Sequence, residues 1–161
     1  MKAMQLLDCV EPAPVREIAL RNLIREFVDE TAYACALIDA EGIIVQANEG
    51  VRDLSGFSDS ELEGRSFLYG FSGPSTNAET VRKLRRNLLH GVPTGFRMLK
   101  YGADGSSFVS GGYFLPFVDE PSGERYACAM ERQLGSWREQ LFDDPEFQQE
   151  LLGLLEKSVI G

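Results

Sequence analysis

The sequence predicts an α+β domain: a five-stranded antiparallel sheet with helices on one face, plus an amphipathic helix at each end. Two short apolar runs around a tight turn come first, and three longer strand-like runs come last. Helix-forming segments lie between and outside them. Turn residues at each junction suit antiparallel hairpins rather than alternating strand and helix units.

Pro14 opens the first helix, in VREIALRNLIREFVDE. Leu20, Leu23, Ile24, Phe27 and Val28 fall on one face, and Arg16, Glu17, Arg21, Arg25 and Asp29 fall largely elsewhere. That stripe needs burial against a sheet or a second chain. The first hairpin joins Ala34–Ile38 to Ile43–Val45 through Asp39-Ala-Glu-Gly42, with Gly42 supplying the positive φ of the turn. Asn48 begins NEGVRDLSGFSDSELEGRS, suited to one-turn helices broken at Gly56 and Gly64. Thr76-Asn-Ala-Glu79 fits a capping box, and Val81, Leu84 and Leu88 mark the inward face of a helix that reaches His90 and ends at Gly91.

Three strands follow, in TGFRMLKYG, SFVSGGYFLPFVD and RYACAMERQL, joined at Ala103-Asp-Gly105 and Pro121-Ser-Gly123. Gly111-Gly112 inside the second of them marks a bulge or a close backbone approach. A helix starts near Trp137. The last has Asp144 as its cap, Pro145 at its first position, and Phe147, Leu151, Leu154 and Leu155 as its apolar stripe. The expected divisions are residues 1–31 as a cap helix region, 32–134 as the core and 135–161 as a helical extension.

The 161 residues suit one domain, and a 43% apolar share with 25% charged residues is that of a soluble globular protein. A net charge of -9 argues against nucleic acid as a partner, because phosphate binding needs a concentrated basic surface. The one basic cluster, Arg82-Lys-Leu-Arg-Arg86, reads as a solvated helix face. No run reaches the roughly 18 apolar residues of a membrane span. The opening MKAMQLLDCVEPAP is too weakly apolar for a secretory signal, so the expected location is the cytoplasm. Cys9, Cys35 and Cys128 lack metal-ligand spacing, and the latter two lie in apolar strand-like runs as buried reduced thiols.

Nothing points to an enzyme. His90 is the only histidine and falls at a helix end, exposed and without the nucleophile and orienting acid of a triad. Its position gives no basis for haem ligation. Asp143-Asp144-Glu146 sit at a helix start, where the dipole explains them.

Five pieces, LIDAEGIIVQAN, LSGFSDSELEGRS, GPSTNAETVRKLR, YGADGSSF and GERYACAM, occur in an order and spacing that resembles the PAS domain family over about Ala34 to Arg132. Within that family they are most similar to the light-oxygen-voltage (LOV) subgroup. Members of that subgroup bind FMN and carry the motif G-R-N-C-R-F-L-Q-G-P, whose cysteine attacks the flavin under blue light. Aligned from Gly73-Pro74, the cysteine position falls on Leu68, with Phe67 and Tyr69 in place of asparagine and arginine and Ser72 in place of glutamine. Arg85 matches the phosphate-contacting arginine. Lys100 and Ser110 take the places of the two flavin-binding asparagines, and Glu131 that of the signal-relaying glutamine.

The resemblance therefore implies a stand-alone sensory module acting through a homodimer of its terminal helices or through a partner protein, without cysteinyl-flavin chemistry. Its candidate pocket comprises Leu68, Ser72, Arg85, Lys100, Ser110 and Glu131. If Lys100, Ser110 and Glu131 face inward, lysine and glutamate pair where the flavin ring would lie; in another register both reach solvent. FMN stays open as a cofactor, and the alternative is a blue-light receptor that photoreduces flavin without an adduct.

Overall fold

The computed structural model describes residues 22, 24–119, 122–136 and 144–160, with the side chains of the last helix through Leu154. Pro14, Leu20, Leu23, Cys9 and Trp137, together with the side chain of Leu155, lie outside that set. Helical residues 24–30 (α1) lead into β1 (Ala34–Asp39) and β2 (Ile44–Ala47). Short helices α2 (Glu49–Ser55) and α3 (Asp59–Leu62) follow, then α4 (Ala78–Leu89). Three strands, β3 (Thr94–Tyr101), β4 (Ser107–Asp119) and β5 (Glu124–Gln133), precede α5 (Pro145–Ile160). All pairings are antiparallel in the order β2-β1-β5-β4-β3, the predicted five-stranded α+β architecture.

Period-two alternation divides the side chains between two cores. Ala34, Ala36 and Ile38 of β1 point inward with Phe96, Phe114, Ala127 and Ala129, beneath Val51, Leu62, Phe67, Leu84 and Leu88 of the connecting segments. Cys35 and Leu37 point outward with Tyr113, Leu115, Phe117, Cys128 and Met130, and α1 and α5 cover them through Ile24, Val28, Phe147, Leu151 and Leu154. Among the described residues, the stripes offered by the terminal helices for a dimer therefore pack on their own sheet. Leu152 of α5 remains more than half exposed.

The first turn forms as expected: Asp39 Oδ1 accepts from the amides of Glu41 and Ile43, and Gly42 has φ 83°. Gly91, at φ 67°, follows α4 directly. The cap of α4 needs correction. Asn77, not Thr76, accepts from the amides of Glu79 and Thr80. The Thr76 hydroxyl instead accepts from Gly73 N–H and donates to Leu99 C=O, tying the loop to β3. Glu79 turns to Arg82 at 2.6 Å rather than back to the cap. A true capping box, Ser58 with Glu61, starts α3. Gly111 and Gly112 lie in unbroken register, so close approach and not a bulge explains them: a Cβ on Gly112 would collide with the Phe96 ring and the Met130 carbonyl.

Candidate functional site

The loop after α3 builds the inner site. Gly64 N–H and Ile44 N–H bond across to Ile44 and Arg65 carbonyls, and Phe67 N–H donates to Gly42 C=O at 2.7 Å. Those bonds stitch the loop to the edge strand and drive Phe67 and Leu68 into the core, at 1% exposure each, while Tyr69 stays half exposed. Phe67 meets Phe71, Phe96 and Phe114 edge-on, with centroids 5.6–6.3 Å apart. Gly112 leaves room for Phe96, its direct partner across the strands.

Beside this aromatic cluster lies a buried polar group. Lys100 on β3, Ser110 on β4 and Glu131 on β5 all face inward, with side-chain exposures of 1% and 3% for the lysine and glutamate. Lys100 Nζ donates to Glu131 Oε1 at 2.9 Å, and Ser110 Oγ donates to the same oxygen at 2.7 Å. The ammonium also stands 3.8 Å from the centroid of Phe67 and 4.8 Å from that of Phe71. Burial pushes the Lys100 ammonium below its ordinary pKa, opposed by the charge and hydrogen bond of Glu131. The anticipated ion pair is present, and the solvent-facing register is not the one adopted.

The remaining candidate residues do not join this group. Arg85 and Ser72 are exposed. Leu68 packs against Gly42 on the inner face. Cys35 and Cys128 lie on the opposite face of the sheet from Leu68. His90 is an exposed C-cap whose amide donates to Arg86 and Leu88 carbonyls. Among the described residues no group of three or more His, Cys, Asp or Glu could hold a metal ion, and no helix is long and apolar enough to cross a membrane.

A second constellation, on the outer side, escaped sequence reasoning. Asn48 is buried: its Oδ1 accepts from Cys35 N–H and Val51 N–H, and its Nδ2 donates to Val28 and Tyr33 carbonyls. One side chain therefore caps α2, pins β1 and receives the end of α1. Tyr33 Oη donates to Asp144 Oδ2 at 2.8 Å, Thr31 Oγ1 donates to Glu150 at 2.6 Å, and Arg132 lies 3.4 Å from Asp144. Asp144 also caps α5 through Glu146 N–H. Burial works against its charge, but the bonds from Tyr33 and the Glu146 and Phe147 amides, with Arg132, hold its carboxyl below the usual aspartate range. Burial and Asp144 push the Tyr33 phenol upward. The only sequence signal for Asn48 was an N-cap residue directly after a strand.

A sheet in this order, with short helices and α4 packed on its inner face, defines the architectural class. A model of the PAS domain matches residues 31–131, and the chain belongs to that family. Phototropin-2 of Oryza sativa subsp. japonica is 30% identical over 127 residues; these are 78% of this chain but 13% of that protein. The LOV protein of Rhodobacter sphaeroides superimposes with a TM-score of 0.72 at 20% identity, over 87% of this chain and 82% of that one. The PAS domain of the fruit-fly ELK potassium channel superimposes at 0.65 and 19% identity, over 72% and 98%. The Aureochrome1 LOV domain, a blue-light photoreceptor in its light state, gives 0.59 and 22%, over 76% and 91%. These structural likenesses speak for the fold.

Proposed function

We propose that this PAS domain is a signal-transduction module that acts through dimerisation or a partner protein and does not use cysteinyl-flavin photochemistry. One observation carries the reading: the inner polar group is closed on itself. Lys100 and Ser110 both donate to Glu131 Oε1, and Phe67 lies against the ammonium where a ligand ring would need space. An isoalloxazine ring needs free donors and acceptors on these strands, and unpaired buried amides cost about 1–3 kcal/mol each. The residues present do not fit FMN. Leu68 offers a hydrocarbon where an adduct needs a thiolate.

The absorption spectrum of purified protein, before and after incubation with FMN, tests this directly. Colourless protein that gains no bound flavin is the expected result. Protein that purifies with a flavin band and is photoreduced under blue light would instead establish the adduct-free photoreceptor. Light scattering tests self-association, to which the exposed Leu152 of α5 can contribute an apolar contact.

A further inference from the structure

We infer that Cys35 and Cys128 form an oxidisable pair, a disulfide site beneath the terminal helices whose closure loosens α5. The two thiols lie on neighbouring antiparallel strands with their sulfurs 3.4 Å apart, both fully buried in the outer core. Their register is diagonal: Cys35 stands opposite Met130, and Cys128 opposite Leu37. Diagonal neighbours are typically about 7–8 Å apart at Cα, whereas disulfides span about 4.4–6.8 Å. The sulfurs thus touch already, but bonding them pulls β1 and β5 along each other, because the ladder already holds the strands side by side.

That movement falls on the joint of both extensions. Cys35 N–H is bonded to Asn48, whose amide holds the carbonyls of Val28 and Tyr33. Tyr33, two residues from Cys35 on the same face, holds the cap of α5 through Asp144 and packs edge-on against Phe147 at 5.7 Å. A shift of β1 therefore moves the end of α1 and the seat of α5 together.

The oxidant is a hydroperoxide. One thiol, as thiolate, attacks the peroxide oxygen, giving a sulfenic acid and releasing alcohol or water. The second sulfur then displaces water from the sulfenic acid. The sum is two thiols and one hydroperoxide giving one disulfide, one alcohol and one water, with two electrons passing from the sulfurs to the O–O bond. Burial and the neighbouring Cys128 raise the Cys35 thiol well above its ordinary pKa, so reaction proceeds through transient opening of the helical cover.

The test uses the full chain with Cys9→Ser to remove the third thiol. After hydrogen peroxide treatment, non-reducing peptide mapping should recover Cys35 linked to Cys128. The α5 amides should then exchange with solvent faster than in the reduced protein, by about tenfold or more. Leu151→Ala, which thins the contact of α5 with the sheet, should speed cross-linking by about tenfold or more, and Cys35→Ser should abolish it. Sulfinic or sulfonic acid on either cysteine without the link would overturn the site, as would a folded chain that never cross-links. A link formed with unchanged exchange in α5 would overturn the coupling.

Discussion

Replacing Lys100 with methionine leaves the Glu131 carboxylate buried with Ser110 as its remaining partner in that group. The structure allows the loss to be sized. Both side chains are almost wholly inaccessible and sit 2.9 Å apart, so water cannot take over when one is removed. Removing one member of such a pair costs about 3–5 kcal/mol. At about 2–4 °C per kcal/mol for a chain of this size, the Tm should fall by roughly 6–20 °C.

Glu131→Gln should cost less, for two reasons. Phe67 and Phe71 still face the ammonium, and a buried lysine can shed its proton. The double variant K100M/E131M should recover to within about 1 kcal/mol of the parent, because packed apolar side chains replace buried ion pairs at little cost. Urea unfolding of the parent, K100M, E131M and the double variant gives the coupling energy, expected at about 2–3 kcal/mol or more. Additive losses, with the double variant the weakest of the four, would refute the reasoning: the two side chains would then contribute independently and not as a pair. The pH dependence has an unusual sign. A lysine whose folded pKa is lowered contributes most above the ordinary lysine value, and that contribution is lost as pH falls through the lowered value. Glu131→Gln removes what opposes the shift and should extend this alkaline window toward neutrality.

Two further outcomes concern the outer constellation. Asn48→Ala removes the cap of α2 and leaves Cys35 N–H and the Val28 and Tyr33 carbonyls short of a partner, so denaturation should show a loss of about 2–4 kcal/mol; a loss under about 1 kcal/mol would mean that water replaces the side chain. Asp144→Ala should cost about 0.5–2 kcal/mol near neutrality. Since the folded carboxyl titrates below its ordinary range, its contribution is whole above that range and fades as pH falls through the lowered value. The gap between parent and variant should therefore narrow in acid, and a constant gap would contradict the assigned role.

How far the sequence reaches depends on whether the deciding interactions are local. Strand runs, turns and the inward face of α4 were legible because alternation, glycine turns and helical spacing are written within a few residues. The inward placement of Lys100 and Glu131 was legible only through alignment, since a lysine between leucine and tyrosine fits either face of a strand. The cap of α4 was misplaced by one residue because Thr76 and Asn77 are both good caps, and the distant Leu99 carbonyl decided between them. Asn48, Tyr33 and Asp144 were out of reach for the same reason: their partners lie up to 111 residues away.

The two constellations are joined through the backbone of one strand. Alternation turns Glu131 to the inner face and Arg132 to the outer one, so consecutive residues of β5 hold the buried ammonium and approach the cap of α5. Glu131 also stands opposite Ala34 of β1, between Tyr33, which clasps Asp144, and Cys35. An event that altered the inner ion pair would act on the same strand that brings Arg132 to the cap of the outer helix. The output reading thus does not need a cofactor in the core. It needs only that the seat of α5 and the inner charge share a strand end, and a shift in α5 exchange on K100M/E131M substitution would measure that sharing.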